Sequence, residues 1–167
     1  MIVEPLSLDA KNFVKVFWNL TNTCNYNCDY CNPVYKNGSY KWIDNDYYYA
    51  FIDNLKKNFN SKTISIQFTG GEPTINKNFI PLLEYCNQKL PHAYLETYTN
   101  GTKNLSWWKQ AIKYFDAVHL SVHSQYNTSK IKNLIYFLLD QGLQLLNCTI
   151  MYDTRFQKNV LEKLEEI

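Results

Sequence analysis

The sequence predicts an α/β protein of βα units in series around a parallel sheet. Two observations predict it. Short runs of apolar, β-branched and aromatic residues alternate with longer stretches of 3.6-residue periodicity. After the first, successive runs start roughly 25–30 residues apart, about the length of one βα unit. Parallel strands joined this way take right-handed crossovers and need both sheet faces covered. Either an open doubly wound sheet or part of a (β/α) barrel supplies that. In both, ligands sit at the C-terminal ends of the strands.

The elements follow in order. Residues 14–20 are the first strand, and residues 21–42 are a loop rich in Cys, Asn, Tyr and Gly. Tyr48, Phe51, Ile52 and Leu55 then form a helical stripe, followed by a strand over 63–68. Phe79, Leu82, Leu83, Cys86 and Leu90 form the next stripe, before a strand over 93–98. Trp107, Ala111 and Phe115 mark a third helix and residues 117–122 a fourth strand. Ile131, Leu134, Ile135 and Leu138 mark a fourth helix and residues 143–151 a fifth strand. Phe156, Val160, Leu161 and Leu164 give a fifth helix, so residues 1–167 read as one domain with five units.

Composition narrows the function classes. A hydrophobic fraction of 46% with 19% charged residues can bury a sizeable core and rules out wholesale disorder. The formal net charge of +2 lacks the positive excess of a dedicated nucleic-acid binder. No apolar run is long enough to span a bilayer, and the N-terminal residues carry neither a basic leader nor an apolar h-region. A cytoplasmic location is the expectation.

The five cysteines are odd in number, and three of them fall within eight residues, which does not describe a disulfide framework. Cys24, Cys28 and Cys31 have C-x3-C-x2-C spacing in the loop after the first strand. A loop wrapped around a centre lets all three thiolates reach it, and thiolate selects iron–sulfur clusters or zinc. A structural zinc site wants four protein ligands. Cys86 on a helix stripe and Cys148 in a strand read as buried small apolar residues. Three ligands would leave one iron of a cubane cluster open for substrate or cofactor.

Three features together carry a resemblance. They are the C-x3-C-x2-C loop with aromatic Tyr30 before its last cysteine, Gly70-Gly71-Glu72-Pro73-Thr74 at the end of the second strand, and Thr99-Asn100-Gly101 at the end of the third. The sequence resembles the radical S-adenosylmethionine (radical SAM) enzymes over about residues 14–152. The resemblance implies a partial (β/α) TIM-type barrel of about five to six parallel units, here ending after the fifth. It implies a [4Fe–4S] cluster on Cys24, Cys28 and Cys31, with SAM chelating the fourth iron. One electron from a reductant such as flavodoxin or ferredoxin would cleave SAM to a 5′-deoxyadenosyl radical, which abstracts hydrogen from a substrate. Such a protein is expected to be oxygen-sensitive.

The matching positions acquire roles by the same resemblance. Gly70 and Gly71 would let the backbone approach the methionine end of SAM, Glu72 would accept from its ammonium, and Pro73 would stiffen the strand exit. Tyr30 would cover the adenine, Asn100 and Ser121 would contact the ribose, and Ile150 or Met151 would form the apolar wall. His123 stands where many relatives carry a carboxylate and is the candidate catalytic residue, with His119 two positions earlier in the same strand. His92 reads as solvated. The substrate is a peptide or a small molecule, with a lean toward peptide modification or cofactor biosynthesis. A missing sixth unit would leave a sheet edge for a partner to cover. Two rivals stand beside the enzyme: an incomplete SAM- and cluster-binding domain that needs a partner, and a zinc module using the three thiolates with a histidine or Cys148.

Overall fold

A computed structural model describes residues 12–39, 42–123, 126 and 129–151. Five strands and four helices alternate: β1 (Phe13–Thr21), α1 (Asn45–Phe59), β2 (Thr63–Gly70), α2 (Phe79–Lys89), β3 (Tyr94–Thr99), α3 (Leu105–Ala111), β4 (Ala117–His123), α4 (Ser129–Leu139) and β5 (Leu145–Met151). All four strand pairings are parallel, and the strands lie side by side in sequence order. A doubly wound sheet reverses its strand order at a switch point. The unbroken order puts every right-handed crossover on the same face, as in a barrel. The result is an open, partial (β/α) barrel.

The alternation of β-strand side chains gives that sheet two unlike faces. Ile64, Ile66, Phe68, Leu95, Val118 and Leu120 face the helices and are buried. They pack against Tyr48, Ile52 and Leu55 of α1, Phe79, Leu82, Leu83 and Cys86 of α2, Trp108 and Ala111 of α3, and Leu134 and Leu138 of α4. The opposite, concave face carries Lys15, Phe17, Asn19, Ser65, Gln67, Glu96, Tyr98 and His119. Lys15 pairs with Glu96 at 2.9 Å, and His119 meets the same carboxyl at 3.0 Å. Among the described residues the concave face is covered unevenly: Ser65, Glu96 and His119 are buried, whereas Phe17 is 66% exposed.

The predicted stripes of α1, α2 and α4 meet the sheet as expected, except that Phe51 is half-out, with its ring against Trp18 at 4.5 Å. The third helix differs by one position. Asn104 caps α3, its Oδ1 accepting from the Trp107 N–H at 2.9 Å, and this fixes the phase so that Trp108, not Trp107, is fully buried. The helix stops at Ala111, a 3-10 turn follows over Ile112–Tyr114, and Phe115 is already extended. Cys86 is buried as expected, but Cys148 is exposed, because β5 has β4 as its one neighbour among the described residues. The predicted fifth helix lies outside the described residues. No helix among the described residues is long and apolar enough to cross a membrane.

Candidate functional site

The C-terminal ends of the strands converge on one cavity of 320 Å³. Cys24, Cys28 and Cys31 line it together with Tyr30, Gly70, Gly71, Glu72, Asn100, Ser121, His123 and Met151. Most of the residues expected from the sequence at this site line the same cavity. Two positions differ. Ile150 pairs in register with Val122, on the helix-facing side, whereas Met151 pairs with His123 and reaches the cavity. Of the two alternatives, Met151 is the one at the site. Pro73 does not line the cavity; it is buried at the start of a 3-10 turn over Pro73–Ile75, where its fixed φ suits the first position.

The glycines explain how the cysteine loop is held. The N–H of Gly71 donates to Thr21 O at 2.7 Å, and that of Glu72 to Thr23 O at 2.9 Å. A Cβ on Gly70 would lie 2.2 Å from Thr21 O, and one on Gly71 would lie 2.2 Å from Thr23 O. The backbone of the β2 exit thus presses directly on the root of the cysteine loop. Absence of a side chain is required there by the protein's own chain, whatever else approaches it. Gly70 also has φ +120°, where L-residues are strained.

Glu72 is 1% exposed and ties β2 to β3. Its Oε1 accepts from the Thr74 hydroxyl at 2.6 Å, the Thr74 N–H at 3.1 Å and the Thr99 hydroxyl at 2.7 Å. Its Oε2 accepts from the Asn100 N–H at 2.7 Å. Burial pushes its pKa up, and these hydrogen bonds oppose the shift. The carboxyl expected to face a ligand ammonium is therefore already engaged as a scaffold. Asn100 is engaged similarly: its Nδ2 donates to Asn25 Oδ1 at 2.9 Å, and its Oδ1 accepts from the Thr102 hydroxyl at 2.8 Å. Asn25 in turn donates to Thr102 at 2.8 Å, so the end of β3 grips the cysteine loop.

Aromatic side chains roof the same loop. Tyr30 lies parallel to the His123 ring, with centroids 6.0 Å apart, and its hydroxyl bonds His123 Nδ1. Cys28 Sγ is 3.4 Å from that nitrogen. Burial lowers the His123 pKa to about 4, so the ring is neutral at pH 7. Tyr26 stacks on Tyr126 at 3.6 Å, and the Tyr126 hydroxyl accepts from the Asn27 N–H at 2.7 Å. Sequence reading missed Tyr26, Lys36, Thr69, Tyr98 and Tyr126. Tyr98 lies two positions before Asn100, so the alternation of side chains along β3 would have pointed to it, and it lines the cavity. For Tyr126 and Lys36 no local signal exists.

Burial raises the Cys24 and Cys28 thiol pKa values; a backbone N–H from Tyr26 opposes this at Cys24, and Tyr30 followed by the Lys36 charge opposes it at Cys28. Among the described residues, no three Cys, His, Asp or Glu side chains converge as a single-ion site requires. Zinc in tetrahedral coordination needs that convergence. A cubane cluster instead takes one thiolate on each of several irons. Neither Cys86 nor Cys148 lines the cavity. Three soft donors with no fourth protein sulfur fit a cluster that keeps one iron open, and one donor already accepts a backbone N–H, from Tyr26 to Cys24 Sγ at 3.4 Å.

Comparison with known proteins agrees with this donor set. The sequence model of the Radical SAM superfamily matches residues 18–136. A GTP 3′,8-cyclase of Pasteurella multocida is 33% identical over 100 residues, covering 56% of this chain and 28% of that protein. An Fe-coproporphyrin III synthase of Methanosarcina barkeri is 35% identical over 88 residues, covering 52% of this chain and 21% of that protein. This chain thus spans less than a third of the length of either relative. Among solved structures, native anSMEcpe with bound AdoMet superposes with a TM-score of 0.67 at 20% identity, over 92% of this chain and 48% of that one. BtrN in complex with AdoMet and 2-DOIA gives 0.62 at 21% identity, over 87% and 58%. These two share the fold. The chain belongs to the radical SAM superfamily, a family of enzymes whose cofactors are a [4Fe–4S] cluster and SAM.

Proposed function

From that membership we propose that the chain is a single radical SAM core unit in which Cys24, Cys28 and Cys31 hold the cluster and the β2–β4 ends hold SAM. The observation that carries the reading is the meeting of the three thiols with the Gly70–Glu72 shelf in one cavity at the C-terminal end of the sheet. When bound, the cluster and SAM supply one-electron reductive cleavage of the sulfonium and hydrogen-atom abstraction from a substrate. The protein's part is to position and to exclude water. Gly71 and Glu72 fix the loop root through their N–H groups. Buried Glu72 sets the spacing between the β2 and β3 exits, and its Oε2, which accepts one bond, would be the oxygen left to accept from the SAM ammonium. Tyr30 and Met151 supply flat and apolar walls to the adenine. Asn100 and Ser121, which line the cavity, would contact the ribose. His123, held by Tyr30, lines the cavity and would be the candidate catalytic group.

The substrate is a small molecule on a cofactor-forming route. The relatives named for GTP and for Fe-coproporphyrin III support that choice over a peptide. The electron comes from a flavodoxin- or ferredoxin-type reductant. Anaerobic reconstitution tests the reading: about four iron and four sulfide per chain are expected, with release of 5′-deoxyadenosine on reduction with SAM. Cys28→Ala should lose the cluster. Glu72→Ala should keep it and weaken SAM binding. Stoichiometric zinc without iron would reject the reading, and a cluster without SAM cleavage would favour a binding domain that needs a partner.

A further inference from the structure

Lys36 lines the cavity but holds neither the cluster nor SAM in the function proposed above. It leaves a fixed turn: Asn32 Oδ1 accepts from the Val34 N–H at 3.0 Å, and the Lys36 N–H donates to Pro33 O at 3.1 Å. From there its ammonium reaches back and donates to Cys28 O at 2.5 Å. The same carbonyl accepts the Cys31 N–H at 3.2 Å. One positive charge is therefore pinned to the turn that carries two of the three loop cysteines. The side chain also lines the cavity, where it is the one lysine or arginine among the described residues.

The charge balance of the cavity gives that placement a consequence. Holding a cluster, the three thiolates would share the site with the Glu72 carboxyl. A cluster placed there becomes more negative by one charge when it takes an electron. A fixed cation nearby favours the more negative state, and the effect is large where the site is partly shielded from water. Net charge and solvent exposure are among the features that set iron–sulfur potentials. A lysine needed only as a strut could be replaced by a neutral donor. A lysine needed as a charge could not.

We propose that Lys36 is the counter-ion of the cysteine loop, a positioning residue whose charge raises the potential at which the cluster accepts its electron. The proposal rests on the radical SAM reading above. It makes reduction easier for a given donor and leaves the ligand set unchanged.

The test is an EPR-monitored redox titration of the anaerobically reconstituted chain, with iron and sulfide counted on the same samples. Lys36→Gln and Lys36→Met should keep wild-type iron content. Each should lower the equilibrium constant for one-electron reduction roughly tenfold, about 59 mV to more negative potential. Lys36→Arg should restore the wild-type value. Full iron loading with an unchanged potential in the neutral variants would overturn the proposal. Should those variants fail to load, Tyr35→Lys in the otherwise intact chain adds a second cation on the same turn. It should move the potential upward, and no movement would overturn the proposal. A wild-type chain that takes up no cluster would refute the radical SAM reading itself, a result distinct from either of these.

Discussion

The two faces of the sheet are made by the same five strands and obey different rules. On the helix-facing side Ile64, Ile66, Phe68, Val118 and Leu120 are buried against apolar helix stripes. On the concave side Lys15, Ser65, Glu96 and His119 hold one another by ion pairs and hydrogen bonds. The interior of a closed (β/α) barrel is ordinarily packed with layers of branched apolar side chains. Among the described residues the corresponding face is mostly polar, with Ser65, Glu96 and His119 buried and Phe17 exposed. One face therefore supplies stability by excluding water, and the other gives up that stabilisation to present hydrogen-bonding groups beneath a cavity. The division teaches where each kind of substitution should register.

The largest effect belongs to the apolar face. Phe68 is fully buried between Trp18 and Phe79, with ring centroids 5.8 and 5.2 Å away. Phe68→Ala should cost about 3–5 kcal/mol of stability in urea unfolding. A loss below 1 kcal/mol would break the claim that this face carries the fold. Next comes the border between the faces. Gly71→Ala places a Cβ against Thr23 O, a backbone atom that a rotamer change cannot move. Overpacking of this kind costs about 1–3 kcal/mol. Its sharper signature is local: iron content after reconstitution should fall more steeply than the melting temperature, because the root of the cysteine loop shifts while the core stays intact.

Much of this arrangement was legible in the sequence, and each exception has its own physical cause. The strands and three of four helix stripes follow from local periodicity, and the meeting of the cysteine and glycine–glutamate motifs was implied by the family resemblance. Ile150 against Met151 did not follow, because a period of two has no phase until the strand pairs, and the Val122–Ile150 register sets it. Trp108 replaced Trp107 because a cap at Asn104, not the apolar pattern, sets the rotation of a seven-residue helix. The glycines were visible, but the Thr21 and Thr23 carbonyls that demand them lie about fifty residues earlier in the chain. Lys36 and Tyr126 reach the loop through contacts that leave no spacing rule.

A smaller effect sharpens the polar face. Glu96 is 5% exposed; burial alone would raise its pKa, but Lys15 and His119 outweigh that and hold it below the ordinary carboxylate value. A depressed native pKa means that the unfolded chain takes up the proton first as pH falls. The stabilisation is complete above about pH 4.5 and is lost as pH drops through the lower native value. Glu96→Gln should therefore flatten the fall in stability below pH 4.5. An unchanged acid limb in urea midpoints against pH would show that the concave network contributes nothing to folding.

The smallest effect is expected at Cys148, and its smallness carries information. The residue is exposed on β5, opposite Leu120 in the pairing register, and does not line the cavity. Cys148→Ser replaces a thiol by a hydroxyl of similar size at an exposed position, so stability should change by less than about 0.5 kcal/mol. Reconstituted iron should stay at the wild-type count, whereas Cys28→Ala removes it. A fourth protein sulfur would abolish the open metal position on which SAM binding depends. Should Cys148→Ser lose iron as Cys28→Ala does, the site would be a closed four-cysteine centre, and the polar face beneath it would have no reactive partner to serve.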